Sequence, residues 1–306
     1  MPRLLYLLLL TGALAPGQEA PTFRTGVSLV KVDVQVVQGQ RLVGGLTRQD
    51  FRVLDRGQPR EIVYFGQESE QLWVSLLLDV SGSMRKHVRA MAAAANKALS
   101  ALRPGDQVEV VLFSREIKVF QPYTDDHSLV AGKLDAAVRH RSMPAGTSIN
   151  SSILEAAQHM RNELANRLGR RAILILTDNE GWNYQVPDDR VLEALWQADA
   201  VLNAIVVGGA KRPQPLAPEV AANTDFTPSD VFQLAAETGG DVVRAKKAGE
   251  AFQTLLEGMR TRYSLHFHAA EGASGTFHEI QVELTGEAAK RLKRAKVRAR
   301  RGYYLP

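Results

Sequence analysis

Three short stretches of this chain put oxygen-bearing side chains where a buried strand gives way to a loop. Asp79-Val80-Ser81-Gly82-Ser83 places a carboxylate and two hydroxyls at alternate positions, with Gly82 between the serines. It follows Leu72-Trp73-Val74-Ser75-Leu76-Leu77-Leu78, the nearly unbroken apolar run of a strand buried on both faces. Where the chain turns over the end of such a strand, the three groups can converge, and hard oxygen donors of this kind suit Mg2+, Mn2+ or Ca2+. Ala145-Gly146-Thr147-Ser148 precedes a helical stretch and offers the hydroxyl of Thr147, while Leu174-Ile175-Leu176-Thr177-Asp178 is a second buried strand ending in an aspartate. Each stretch alone has a plainer reading: Thr147 as a helix N-cap, Asp178 as a turn residue, the serines as ordinary loop residues.

The elements that must position these groups follow from hydrophobic period. Through 71–262, buried strands alternate with helical patterns at 84–102, 128–138, 149–168, 189–198 and 251–262, with a hairpin-like pair at 108–113 and 117–120. Asp230 is a candidate cap for a further helix to Thr238, and 210–228, rich in Pro and Ala, reads as a surface loop. This alternation predicts an α/β domain with a doubly wound, mostly parallel sheet, whose ligand sites lie at the carboxyl ends of the strands. The flanks have period two. In 21–70, Val30, Val32, Val34 and Val36 alternate with Lys31, Asp33 and Gln35, and Thr47 is a candidate N-cap for a turn of helix through Phe51. In 263–306, Tyr263, Leu265 and Phe267 alternate with Ser264, His266 and His268, and Ile280, Val282 and Leu284 repeat the pattern. Neither flank is large enough to fold alone, so the two are expected to pair into one small β-sandwich-like module.

With Asp79, Ser81, Ser83, Thr147 and Asp178 in this order and on these elements, the chain resembles the von Willebrand factor A fold with its metal-ion-dependent adhesion site. The resemblance implies that Ser81, Ser83 and Thr147 touch a divalent cation, Mg2+ first, through their hydroxyls. It also implies that Asp79 and Asp178 act directly or through water, and that an open position accepts an Asp or Glu from a protein partner. Many members of that family carry glycine after the last aspartate, where this chain has Asn179 and Glu180. Asparagine is the non-glycine residue that best tolerates positive φ, so the turn can survive. Glu180 is a candidate modulator at the rim of the site, or an occupant of the open position. Val32-Asp33-Val34, Leu46-Thr47-Arg48-Gln49-Asp50-Phe51 and Arg300-Arg301-Gly302-Tyr303-Tyr304 further resemble the bacterial exported VWFA-related family, which runs signal peptide, short β-region, A-type domain, β-rich tail.

Residues 1–20 read as an export signal, with Arg3 ahead of a dense apolar run from Leu4 to Leu10 and small residues to Ala15, and cleavage after Ala15 or Gly17. About twelve apolar residues are too few for a bilayer span, no other segment is long enough, and an exported, periplasmic or secreted protein is expected. The chain has no cysteine, which excludes disulfides, thiolate metal sites and lipid attachment through an N-terminal Cys. Its net charge of +5 is lopsided, because 290–301 (KRLKRAKVRARR) holds eight basic and no acidic side chains and leaves the rest net acidic. That argues against nucleic acid as the partner of the whole protein. The run itself reads either as a solvated edge strand or as a contact for an anionic surface.

His127, His140 and His159 lack metal-ligand spacing, and His266 and His268 share a strand face without a third ligand. There is no G-x-S-x-G, no phosphate-binding Gly loop followed by Lys, and no H-E-x-x-H. The expectation is a non-enzymatic, adhesion-type binding module. A metal-assisted hydrolase at the same site, with Glu180 as its only candidate base, and a purely structural metal site are the alternatives.

Overall fold

Alternating valines make the first strand, and its two faces have different fates. The computed structural model describes residues 28–39, 41–67, 70–139, 144–181, 186–207, 209–214, 228–244 and 248–305. The export-signal reading of 1–20 and most of the 210–228 loop lie outside them. The chain first runs through β1 (Leu29–Gln38), β2 (Arg41–Leu42), β3 (Phe51–Asp55), β4 (Gln58–Arg60) and β5 (Tyr64–Gln67). It continues through β6 (Leu72–Asp79), α1 (Arg85–Leu99), β7 (Gln107–Phe113), β8 (Ile117–Thr124), α2 (His127–Ala137), α3 (Ile149–Glu163) and β9 (Arg170–Thr177). Next come α4 (Asp188–Gln197), β10 (Ala200–Val206), α5 (Val231–Glu237), β11 (Val242–Arg244) and α6 (Ala248–Arg260). It ends with β12 (Tyr263–His268), β13 (Phe277–Leu284), α7 (Gly286–Arg291), β14 (Lys296–Arg298) and β15 (Gly302–Tyr304).

The central sheet has the order β11-β10-β9-β6-β7-β8, parallel except for the edge strand β8, which returns antiparallel to β7. Successive side chains of a strand point to opposite faces. Leu72, Val74, Leu76 and Leu78 of β6 accordingly enter a core with α1, α2 and α6, while Trp73 and Leu77 enter one with α3, α4 and α5. This is the expected doubly wound α/β sheet.

The flanks pair as a second body. A sheet of order β14-β1-β12-β5, with β2 on β1, faces a sheet of order β15-β13-β3-β4. Val30, Val32, Val34 and Val36 fill the core between them with Phe51, Tyr263, Phe267 and Ile280. The Thr47 turn is tighter than expected. Asp50 Oδ2 accepts from Thr47 N at 2.7 Å and from Thr47 Oγ1 at 2.9 Å, closing a 3-10 turn over Arg48–Asp50, and Phe51 is already the buried first residue of β3. α3 is shorter than the pattern at 149–168. The Leu164 carbonyl is taken by the Arg171 guanidinium, and Leu168 is left 90% exposed before β9 begins.

The polar face of β1 meets the amino-terminal edge of the central sheet. Arg170, first residue of β9 and buried, reaches the carbonyls of Met259, Arg260 and Arg262 and the Ser264 hydroxyl, with its Nε 3.4 Å from Asp33 Oδ1. Ser264 Oγ donates to Asp33 Oδ1 at 2.9 Å. Burial pushes the Asp33 carboxyl up, but Lys31, Arg170 and Arg262 outweigh it and hold the group below its ordinary value. Removing one partner from such a buried pair costs about 3–5 kcal/mol.

A titratable contact joins α3 to the central sheet. Glu109 on β7 is fully buried and accepts from Ser75 Oγ on β6; Tyr123 on β8 therefore donates to Ser75 Oγ at 2.7 Å. His159 of α3 lies above, with Nε2 3.1 Å from Glu109 Oε2 and its ring parallel to that of Tyr123. The Glu109 carboxylate raises this imidazole above 6.5 despite partial burial, and the charge of Glu163 adds to the effect. A group whose pKa rises on folding stabilises fully below its unfolded value, and the contribution is lost as pH rises through the folded value. His159→Gln is therefore expected to lower the urea midpoint most below pH 6.5, with the gap from wild type shrinking at higher pH; a gap independent of pH contradicts the ion pair.

Candidate metal centre

Strands β6 and β9 are neighbours in parallel register, Leu78 opposite Leu176, so the next residues, Asp79 and Thr177, end side by side at the carboxyl edge. Both lie on the face covered by α3, the helix that follows Thr147. Thr177 Oγ1 donates to Asp79 Oδ2 at 2.8 Å, and the Ser81 backbone N–H donates to Asp79 Oδ1 at 3.0 Å. Asp79 is fully buried and Ser81 nearly so, whereas Ser83 is exposed. The two serine hydroxyls stand 3.2 Å apart, so the D-x-S-x-S stretch does converge.

Asp178 is buried and repeats the motif of Asp79, its Oδ1 accepting from the backbone N–H two residues on, that of Glu180, at 3.1 Å. Burial raises the Asp79 carboxyl to about 6; bonds from Ser81 and Thr177 oppose the shift, and the neighbouring Asp178 adds to it. Among the described residues neither aspartate has a Lys, Arg or His ion-pair partner, so the site holds buried negative charge beside two hydroxyls. Such a set fits a hard divalent cation. No group of three His, Asp or Glu side chains among the described residues gathers at a metal-sized site, so any cation here depends on hydroxyls as well as carboxylates.

Thr147 is half-buried, and the N-cap position belongs to Ser148 instead. The Ser148 N–H is fixed by the Ser114 carbonyl at 2.8 Å. The Thr147 loop meets the Asp178 loop at Gly181, where an added Cβ would stand 2.9 Å from Ile149 Cδ1 and 3.2 Å from the Thr147 carbonyl. A side chain here would push Ile149 aside and press on the Thr147 carbonyl, so glycine eases the approach of the two loops.

Asn179 adopts φ 59°, the left-handed conformation in which asparagine replaces glycine at least cost. Its side chain does more than tolerate the turn. Oδ1 accepts from Val231 N, the first residue of α5, at 3.2 Å, and Nδ2 donates to the Lys211 carbonyl at 3.3 Å. Glu180 is exposed, and among the described residues no partner fixes its carboxylate. Thr177 and Gly181 were not singled out by sequence reasoning. A threonine ending a strand looks like any β-former, and the signal available was its place one residue before Asp178, level with Asp79.

The family model for the von Willebrand factor type A domain matches residues 74–181, about a third of the chain. This chain contains a von Willebrand factor type A domain. The matched segment runs from β6 to Gly181 and includes Asp79, Ser81, Ser83, Thr147, Thr177, Asp178, Asn179 and Glu180, but not Val231 or Lys211, which Asn179 tethers. No curated protein matches the chain. Among solved structures, it is similar to BatB from Bacteroides thetaiotaomicron at 18% identity and TM-score 0.46, over 61% of this chain and 98% of that one. An aerotolerance-related membrane protein from Bacteroides fragilis overlaps at 16% identity and TM-score 0.45, over 61% and 98%. Proximal thread matrix protein 1 from the mussel byssus, in a form with a zinc-occupied MIDAS motif, overlaps at 14% identity and TM-score 0.45, over 68% and 50%.

The A-type domain uses Asn179 where glycine would serve the turn alone, and two substitutions separate its roles. Asn179→Gly keeps the backbone conformation but leaves the buried Val231 N–H unpaired, a loss of about 1–3 kcal/mol. Asn179→Ala adds roughly 1–2 kcal/mol of left-handed strain. In urea denaturation, alanine is expected to be the more destabilised of the two, with glycine below wild type; a glycine variant as stable as wild type contradicts the tether.

Proposed function

We propose that this protein is an exported binding module that uses a divalent cation, Mg2+ first, with Mn2+ or Ca2+ as alternatives, to engage an Asp or Glu of a protein partner. The observation that carries the reading is the convergence of two buried aspartates without basic partners and the Ser81 and Ser83 hydroxyls at the carboxyl edge of an A-type domain. Ser81, Ser83 and Thr147 would hold the cation through their hydroxyls. Asp79, with both carboxylate oxygens already accepting hydrogen bonds from Ser81 and Thr177, would act chiefly by orienting the Ser81 loop and bound water, and Asp178 would do the same from the end of the neighbouring strand. When bound, the cation supplies a Lewis-acid position for a partner carboxylate.

Side-chain placement favours binding over hydrolysis. A metal-assisted hydrolase needs a base held at the site, and the candidate, Glu180, is exposed and unfixed among the described residues. Export rests on the sequence of 1–20; in the described part, no helix is long and apolar enough to cross a membrane.

Isothermal titration with Mg2+ and Mn2+ tests the reading. Wild type is expected to bind one cation and to gain about 2.7 kcal/mol of stability at a hundredfold excess over Kd, and Asp79→Ala is expected to lose both. No binding to wild type, or equal binding to the variant, contradicts it. Mg2+-dependent phosphatase or esterase activity that disappears in Glu180→Gln would favour the hydrolase.

A further inference from the structure

The basic run 290–301 divides in two when its side chains are followed to their partners. Arg298, Arg300 and Arg301 meet carboxylates of the A-type domain: Asp241 at 2.6 Å, Asp199 at 2.6 Å and Glu237 at 3.5 Å. Arg300 also donates to the Trp196 carbonyl at 2.9 Å. Arg298 and Arg300 fasten the β-module to the domain, and Arg301, still largely exposed, adds a looser contact. Lys290, Arg291, Lys293, Arg294 and Lys296 are all exposed. Lys290 pairs only with Glu287, itself exposed, and among the described residues no ion pair holds the other four.

The five lie on the last turn of α7, the turn after it and the first residue of β14, so one corner of the module carries five positive charges within seven residues. Protection of an edge strand accounts for Lys296, which stands on the strand edge, but not for the four that precede it. Gathering like charge costs energy in the free protein. The same corner has an apolar member. Lys296 is level with Val37 of β1, and Val37 with Leu42 of β2, which is 42% exposed and preceded by the exposed Arg41.

We propose that this corner docks on an anionic phospholipid surface, headgroup phosphates taking the five cations and Leu42 entering the interface. Lipid is favoured over nucleic acid or acidic polysaccharide by the shape of the charge. The cations cluster at a corner instead of following a track, and no aromatic side chain is interleaved among them for a base to stack on. A planar headgroup layer meets such a corner across its width, whereas a long polyanion would run on to the net-acidic remainder of the chain.

Co-sedimentation of the full chain with phosphatidylcholine vesicles, with and without phosphatidylglycerol, tests this. EDTA is present throughout, so the metal centre does not contribute. Binding is expected only with phosphatidylglycerol, is lost at about 1 M salt, where screening acts within about 3 Å, and falls roughly fivefold for each charge removed. The combined variant Lys290→Gln, Arg291→Gln, Lys293→Gln, Arg294→Gln should therefore not sediment, although its Tm matches wild type; should its Tm fall, the salt series decides. Leu42→Ser is expected to weaken binding without abolishing it. Failure of wild type to bind phosphatidylglycerol vesicles, equal binding by the four-site variant, or tighter binding to heparin or duplex DNA than to the vesicles at the same salt overturns the proposal.

Discussion

Two parallel strands, β6 and β9, are buried on both faces and end level with each other, and the rest of the site depends on that constraint. A strand in this position satisfies its backbone through the ladder, but a polar side chain at its end must find partners locally or be costly. Asp79 finds them in the Ser81 N–H and the Thr177 hydroxyl, so the residue that begins one loop is held by the residue that precedes the other. The convergence of the loops is therefore fixed by strand register and not by the loops' own preferences. A slip of one residue would turn Thr177 to the opposite face and leave a buried carboxylate without its partner.

The same strand fastens the other half of the molecule. β9 begins at Arg170, whose guanidinium gathers three carbonyls, the Ser264 hydroxyl and Asp33 where the β-module meets the central sheet. It ends at Thr177, with Asp178 next in the chain, roughly 25 Å away at about 3.3 Å per residue. One rigid element thus carries the joint between bodies at one end and the candidate metal centre at the other. The arginines of the C-terminal tail add a second row of ion pairs across that joint. The module is more than an appendage to the A-type domain, because its polar face supplies partners for charges buried at the base of the sheet.

Much of this was legible in the sequence because it rests on period and placement. Continuous apolar runs ending in Asp79 and Asp178 marked the central strands, and the alternation around Val30–Val36 marked a sheet with one buried face. Asparagine after Asp178 reads as a residue that lets the turn survive in place of glycine, and Asn179 has φ 59°. What stayed hidden depends on distant partners. Thr177 and Gly181 matter through Asp79 and Thr147, residues far away in sequence. Glu109 and His159 are fifty positions apart and look like unrelated surface residues until β7 and α3 bring them together. The basic run read as one feature, and only the positions of Asp241, Asp199 and Glu237 divide it into fastened and free halves.

On the proposed reading, strand register brings the Asp79, Thr147 and Asp178 loops together around a single cation. Anomalous diffraction from crystals grown with Mn2+ tests it most directly. One strong peak is expected, bounded by the hydroxyls of Ser81, Ser83 and Thr147, with Asp79 still bonded to Thr177. No peak at that edge of the sheet, or a peak held by other residues, would contradict it.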